Sequence, residues 1–362
     1  MKNKLTIARE KINEIDREMR RLFIERMKAS ELVAEYKQEH GLEILDPIRE
    51  AEVIRRNSEA VENDVYREYY VNFQKNTMAL SRAYQARLLH GMKVAYSGTE
   101  GAYAHLASMK LFPTSTAIGY GSFDEAYSAV EKGDCDVAVL PIENSYNGDV
   151  GQVSDLMFSG PLYVNTVTEL AISHDLLAPK GTKIEDITTV ISHPQALGQC
   201  HGYIVEHGYS EMEFANTALA AKYVASTNDG HTAAIASAEA AEIFELEVLA
   251  TNISESRSNT TRFAVFSRAE NKQSITDKRV HTILLFTVRH EAGALAKALE
   301  VIAKYGFNMG ALRSRPMKEL LWQYYFYIEA EGNLDSNNGK MMLNELAKYC
   351  DRLKTVGSYT VI

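Results

Sequence analysis

Between Leu5 and Tyr36 the apolar positions recur with a heptad period. One seam runs Leu5, Ile12, Met19, Arg26, Val33 and the other Ala8, Ile15, Leu22, Ala29, Tyr36; every position but Arg26 is apolar or small. This spacing predicts one long helix. Residues 1–90 contain a single glycine, Gly41, and a single proline, Pro47, so the stretch reads as helix, turn, helix and a further helix. Asp46-Pro47 offers an N-cap followed by proline at the first helical position, with Arg49 and Glu50 in the first turn. In the third helix Phe73, Thr77, Leu80 or Ser81, Tyr84 or Gln85, and Leu88 share a face. Ser81 and Gln85 thereby stand one turn apart beside an apolar stripe, where polar groups need partners.

From Met92 the pattern changes to short apolar strands, each followed by a helical stretch. Lys93–Tyr96 leads into Ser97-Gly-Thr-Glu-Gly-Ala-Tyr103, a tight glycine turn that aims backbone N–H groups at an anion. Asp136–Pro141 ends in Ile-Glu143-Asn144-Ser145 with Gly148 just after, and Val190–Ile191 ends in Ser192-His193-Pro194-Gln195. Ala233–Ala236 is another strand, and Thr261-Arg262-Phe263 opens a last one. Polar loops repeated at strand ends are where an α/β protein binds its ligand. Ala269–Lys278 reads as a linker. Beyond it come strand (281–288), helix (292–305), strand (307–315), strand (321–331), helix (337–350) and strand (353–361), a βαββαβ ferredoxin-like layout.

Charge divides the chain at the same place. Residues 1–90 carry 17 basic and 16 acidic side chains, whereas the remaining 272 carry 22 and 32, the source of the net charge of -9. An acidic chain of this kind is not built to neutralise nucleic-acid phosphates. No apolar run approaches the length of a membrane span, and Met1–Arg21 is charged throughout, which excludes a signal-peptide core and leads us to expect a cytoplasmic protein. Cys135, Cys200 and Cys350 are too far apart for a metal or redox pair. Cys200 beside His201 reads as a packed thiol, and His105 as a surface or core histidine. His193, His201 and His207 impose no metal site, and no metal or cofactor is expected.

Arg26 on an apolar seam needs an anion, and Arg9 and Lys37 lie beside the same seam. The anion is either an acidic ligand or a glutamate of a neighbouring helix. The set Arg9, Arg26, Lys37, Asp46-Pro-Ile-Arg49-Glu50 and Ser81-x-x-x-Gln85 resembles the all-helical class of chorismate mutase across residues 1–90. The resemblance implies an intertwined dimer in which Arg9 serves the partner's site. It further implies that Lys37 and Gln85 face the ether oxygen of chorismate, that Arg9, Arg26 and Arg49 hold carboxylates, and that Glu50 contacts the hydroxyl, with Asp46 and Ser81 in the substrate site. Such a rearrangement needs no general base, only a compact near-attack conformer and stabilised charge on the breaking ether.

Gly98-x-x-Gly101-x-Tyr103, Pro141-Ile-Glu143-Asn144-Ser145-x-x-Gly148, Ser192-His-Pro-Gln195 and Thr261-Arg-Phe263 together resemble prephenate dehydratase over residues 92–268. That family has two α/β lobes with the site between them. By resemblance Thr261 assists departure of the ring hydroxyl as a hydrogen-bond donor and Arg262 positions a carboxylate. Glu143, Asn144, Ser145, Ser192, Gln195 and Phe263 complete the substrate site. Residues 280–362 resemble an ACT regulatory domain, with Trp322–Gly332 also fitting. Gly293-Ala294-Leu295-Ala296 and Arg313-Ser314-Arg315-Pro316 stand at its two phenylalanine-binding motifs. Arg313 replaces the usual glutamate and Ala296 the usual valine.

These resemblances imply a three-domain bifunctional enzyme that takes chorismate to prephenate and then to phenylpyruvate, with L-phenylalanine as effector and a homodimer or higher homo-oligomer as its form. Two alternatives stay open. One is a dehydratase of prephenate or arogenate with a non-catalytic helical dimerisation element; the other is a two-lobed aromatic-acid sensor without catalysis.

Overall fold

The computed structural model describes residues 3–256, 258–270, 280–317 and 323–362. Most of the expected linker, together with Leu321 and Trp322 of the expected third terminal strand, lies outside the described residues. The chain separates into two compact units, Met1–Met92 and Lys93–Ile362.

The first unit is all helix: α1 (Lys4–His40), α2 (Pro47–Glu59) and α3 (Asp64–His90). Asn3, Asp46 and Asn63 each accept a first-turn N–H, and Gly41 closes α1 in the left-handed conformation that glycine adopts without strain. The heptad predicted α1 correctly but not its packing within one chain. Only Ser30 and Ala34 of α1 are buried, while the seam residues Leu5, Ile12, Ile15, Met19, Leu22, Val33 and Tyr36 are exposed. Arg26 is therefore a half-buried group beside α3 rather than a cation inside a closed seam.

The second unit opens with β1 (Lys93–Ser97), α4 (Tyr103–Leu111), β2 (Thr116–Tyr120), α5 (Phe123–Lys132), β3 (Val137–Asn144), β4 (Gly148–Asp149), α6 (Gly151–Ser159) and β5 (Tyr163–Ala171). The chain then leaves to build a second sheet from β6 (Asp175–Ala178), β7 (Thr189–Ser192), α7 (Pro194–Gln199), α8 (His201–His207), β8 (Ser210–Glu213), α9 (Thr217–Thr227), β9 (Thr232–Ala236), α10 (Ala238–Ile243) and β10 (Glu247–Ala250). It returns as β11 (Thr260–Ser267), which pairs antiparallel with both β3 and β5. This double crossing leaves Ile172 to Asn259 as one lobe and the flanking strands as the other. Each lobe has its own apolar core. Leu140, Met157 and Phe266 are buried in the first, and Leu176, Val190 and Ile235 in the second. Each such side chain contributes roughly 1.5–3 kcal/mol by leaving water.

The last segment is β12 (His281–Val288), α11 (Ala294–Lys304), β13 (Asn308–Pro316), β14 (Tyr324–Glu331), α12 (Asn337–Leu346) and β15 (Cys350–Val361). Its strands run β13-β14-β12-β15, and β15 then pairs parallel with β5. One sheet thus runs from the terminal segment into the first lobe, and Tyr325, Tyr327 and Tyr359 lie in that lobe's core.

Candidate active site

A cavity of about 690 Å3 lies between the two lobes. Five helices begin on its wall: Ala102 and Tyr103 of α4, Phe123 of α5, Val150 to Gln152 of α6, His193 and Gln195 of α7, and Asn216 and Thr217 of α9. Neither α4 nor α6 has a side-chain cap hydrogen bond, so their first-turn N–H groups lack a side-chain acceptor. Converging helix N-termini make a positive field without a cation. Among the described residues no lysine or arginine lines the cavity. The site is thus suited to an anion held by oriented N–H groups.

Thr261 and Asn144 form a cross-strand pair at the end of β11 and β3, and both line the cavity. Asn144 donates from Nδ2 to Thr261 Oγ1 at 2.8 Å and to Asn259 Oδ1 at 2.7 Å. Thr261 Oγ1 accepts this bond, and its own hydrogen has no acceptor among the described residues. The hydroxyl is free to donate into the cavity. Asn259 in turn donates to Gln199 Oε1 at 3.0 Å, and His174 Nε2 contacts the same oxygen at 2.9 Å. An accepting Gln199 oxygen places the His174 proton on Nε2, and burial pushes this imidazole below its ordinary pKa. Tyr103 donates its hydroxyl to Ser173 O, and burial raises it well above the ordinary tyrosine value. A polar chain therefore runs from Thr261 across the cavity floor to the second lobe.

Of the residues expected in the dehydratase site, Asn144, Gln195, Thr261 and Phe263 line the cavity. Glu143, Ser145, Ser192 and Arg262 do not. Ser192 is buried and donates to Ile235 O at 2.5 Å, tying β7 to β9, and Ser145 donates to Ser258 O at 3.0 Å. Arg262 was expected on a substrate carboxylate. Its guanidinium instead lies between Glu143 (3.1 Å) and Glu329 (2.6 Å), because successive strand residues face opposite sides of the sheet and Thr261 takes the cavity side. Sequence reasoning missed His174, Gln199 and Asn259. Gln199 had the one available signal, a polar residue just past the Ser-His-Pro-Gln run. Cys200 is buried with its thiol pushed up to about 12 by desolvation, and His105 accepts from Gly101 N at 3.2 Å, so neither is poised for catalysis.

In the helical unit Arg26 of α1 donates to Ser81 Oγ of α3 and, at 3.4 Å, to Thr77 O. Ser81 and Gln85 are both buried, and Gln85 Oε1 has no hydrogen-bond partner among the described residues. Lys37 donates to Ile44 O in the loop before α2. Asp46 caps α2 through Arg49 N at 2.9 Å, while the Arg49 side chain pairs with Glu52 at 2.8 Å. Glu50 pairs with Arg82, a cation the heptad gave no reason to select. Arg9 is exposed, 17 positions before Arg26, or about 25 Å along the helix at the usual rise.

In the terminal segment Gly293 has φ +80° and caps α11, Ala294 begins that helix, and Leu295 lines a second cavity of about 660 Å3 with Val288, Tyr324, Phe326 and Arg352. Arg313, Ser314, Arg315 and Pro316 do not line that cavity. They alternate along β13, with Ser314 and Pro316 exposed and the two arginines turned toward the first lobe. No cluster of potential metal ligands occurs among the described residues, and no described helix is long and apolar enough to cross a membrane.

Two family models match the chain. Residues 94–271 match the family model of prephenate dehydratase and residues 8–86 that of chorismate mutase type II. The bifunctional chorismate mutase/prephenate dehydratase of Aquifex aeolicus is 31% identical over 358 residues, covering 97% of this chain and 96% of its own. Arogenate dehydratase 2 of Petunia hybrida is 37% identical over 282 residues, covering 74% of this chain and 71% of its own. The crystal structure of prephenate dehydratase from Arthrobacter aurescens in complex with L-Phe superposes with a TM-score of 0.67 at 26% identity, covering 74% of this chain and 89% of that one. Spanning both family models and nearly the full length of such a relative, the chain belongs to the bifunctional chorismate mutase/prephenate dehydratase family.

Proposed function

We propose that this chain performs its family's two reactions at two separate sites, the rearrangement of chorismate to prephenate in the helical unit and the conversion of prephenate to phenylpyruvate in the cavity between the lobes. The observation that carries the second assignment is the Thr261–Asn144 pair, whose threonine hydroxyl accepts from Asn144 on the wall of a cavity where several helices begin. Loss of carbon dioxide and of the ring hydroxyl makes the prephenate ring aromatic, so the protein's task is to ease hydroxide departure. Thr261 donates a hydrogen bond to that leaving oxygen while Asn144 holds the threonine oxygen in place. The carboxylates are held by first-turn N–H groups of α4 and α6 rather than by Arg262.

For the mutase, Lys37 and Gln85 serve the ether oxygen, with Arg26, Ser81, Asp46, Arg49 and Glu50 around the substrate. Buried Gln85 Oε1, without a partner among the described residues, is an acceptor open to a substrate donor such as the hydroxyl, and Nε2 is the atom that donates to the ether oxygen. Arg9 is too far along α1 to join Arg26 within one chain. The exposed heptad seam supports a second copy packed along α1, and that copy supplies its own Arg9.

The terminal βαββαβ segment is a third, ferredoxin-like ACT domain, and L-phenylalanine is its effector, bound near Gly293, Ala294 and Leu295 and along Ser314 and Pro316. The L-Phe complex of the Arthrobacter relative supports this reading. Incubating purified protein with chorismate tests the assignment. Chorismate absorbance should fall as phenylpyruvate appears, with prephenate as the intermediate. Turnover of added prephenate without turnover of chorismate would reduce the helical unit to a dimerisation element, and parallel incubation with arogenate settles the substrate. No turnover of any of the three would leave a sensor. Heat on titration with L-phenylalanine, together with an altered dehydratase rate, is expected of the terminal domain.

A further inference from the structure

Strand β13 presents two guanidinium groups to the segment that walls the dehydratase cavity. Arg313 pairs with Glu143 and lies 5.1 Å above the Tyr327 ring. Arg315 reaches Asp155 through Nε at 3.0 Å and Asp149 through Nη1 at 3.3 Å, and it lies against Gly151, where a Cβ would overlap it. Glu143, Asp149 and Asp155 bracket Asn144, Gly148, Gly151 and Gln152, all on the cavity wall. On the same side Arg262 joins Glu143 to Glu329 of β14, and Tyr359 of β15 donates to Glu329 at 2.6 Å. Arg262–Glu143 and Thr261–Asn144 are adjacent cross-strand pairs, and the register slips just after them at Phe263. A bulge re-aims nearby side chains, so the geometry of the reactive pair depends on what holds its neighbour. Arginine forks on carboxylates fix orientation more than they add stability at half-buried sites.

We propose that Arg313 and Arg315 are positioning residues of the dehydratase reaction, clasping residues 143–155 from the terminal segment and thereby setting where Asn144 and Thr261 stand in the cavity. Neither side chain enters the cavity; each acts through a carboxylate of that segment. The inference rests on the dehydratase reading above and adds to it a pair of residues outside the site.

The test is steady-state kinetics of the full-length protein carrying Arg313→Gln and Arg315→Gln, singly and together, with prephenate and separately with chorismate. Misplacement of a donor by a fraction of an ångström to an ångström lowers kcat by about 10- to 100-fold. The double variant should show that loss with KM for prephenate within about twofold and an unchanged mutase rate. Lysine at both positions keeps the charge but not the fork and should recover part of kcat. Adding Arg313→Gln to Glu143→Gln should cost nothing further, since Arg313 acts through Glu143. A double variant with kcat within twofold of the parent overturns the clasp, as does a raised KM at constant kcat or a change confined to the response to L-phenylalanine. Should the glutamine variants fail to fold in a thermal melt, the lysine variants decide by the same kcat criterion. An unmodified protein inert toward prephenate would instead sink the dehydratase reading itself.

Discussion

Replacing Thr261 by valine removes one hydroxyl while keeping a β-branched side chain of nearly equal shape in β11. The substitution leaves Asn144 Nδ2 its bond to Asn259 Oδ1 at 2.7 Å and a longer one to Thr260 O at 3.3 Å, so no buried donor is orphaned. The stability cost should therefore be about 1 kcal/mol or less, the usual net worth of one hydrogen bond. For a unit the size of residues 93–362 this shifts the unfolding midpoint by roughly 2–4 °C. The catalytic cost is of another order, because removing one preorganised donor to developing negative charge costs about 2.7–4 kcal/mol, or roughly 10²–10³ in rate. Formation of phenylpyruvate from prephenate reads this loss directly. The mutase rate of the same preparation serves as an internal reference for folded protein, and Thr261→Ser, which restores a donor, should recover much of the rate. A valine variant that keeps more than about a third of kcat would refute the role assigned to the hydroxyl. A variant that loses kcat only in proportion to lost structure would refute it equally.

Lys37→Ala should abolish chorismate turnover while leaving dehydration of added prephenate intact; loss of both activities in a folded protein would contradict two separate sites. Burial opposes ionisation of Glu329, but hydrogen bonds from Arg262 and Tyr359 and the Arg262 charge outweigh it and hold the carboxyl below its ordinary value near 4.5. A depressed carboxylate adds stability above that value and loses it as pH falls through the lower folded pKa. Glu329→Gln should thus flatten the acid limb of the unfolding curve below about pH 4.5, and an unchanged limb would show that the carboxylate is not linked to folding. Gly357 has φ +144° and would bring a Cβ onto Val164 O, so Gly357→Ala should cost about 2–6 kcal/mol from strain and overpacking combined. A thermal melt within 1–2 °C of the parent would be incompatible with that contact.

The elements were legible in the sequence wherever a single period or punctuation mark defines them. Examples are the heptad of α1, the Asp46-Pro47 start of α2, the glycine turn after β1 and the strand-helix-strand-strand-helix-strand order of the terminal segment. Thr261 and Asn144 were reachable because each stands in a motif at a strand end. What stayed hidden depends on three-dimensional neighbours. Arg262 looks like a substrate cation beside Thr261, yet strand alternation turns it to the opposite face, where Glu143 and Glu329 wait. Gripping an anion without arginine requires several helices from distant parts of the chain to start at one place, which no local window contains. His174 and Asn259 flank the two crossings between lobes, and nothing in their sequence neighbourhood marks a crossing. The α1 seam was visible, but its exposure in one chain was not, since periodicity does not say which chain covers a face.

Strand β15 joins the terminal segment to the first lobe. It is hydrogen-bonded to β12 along most of its length and to β5 through Thr360 and Val361, with Ile362 N bound to Val167 O at 3.0 Å. A rigid swing of the terminal segment would break this ladder, whereas sheets accommodate a range of twist. β5 is also the neighbour of β11, which carries Thr261. One continuous sheet therefore links β13 and β14 at one end to the tip of β11 at the other. A change of twist at one end would reach the other by degrees, with no gate to open or shut.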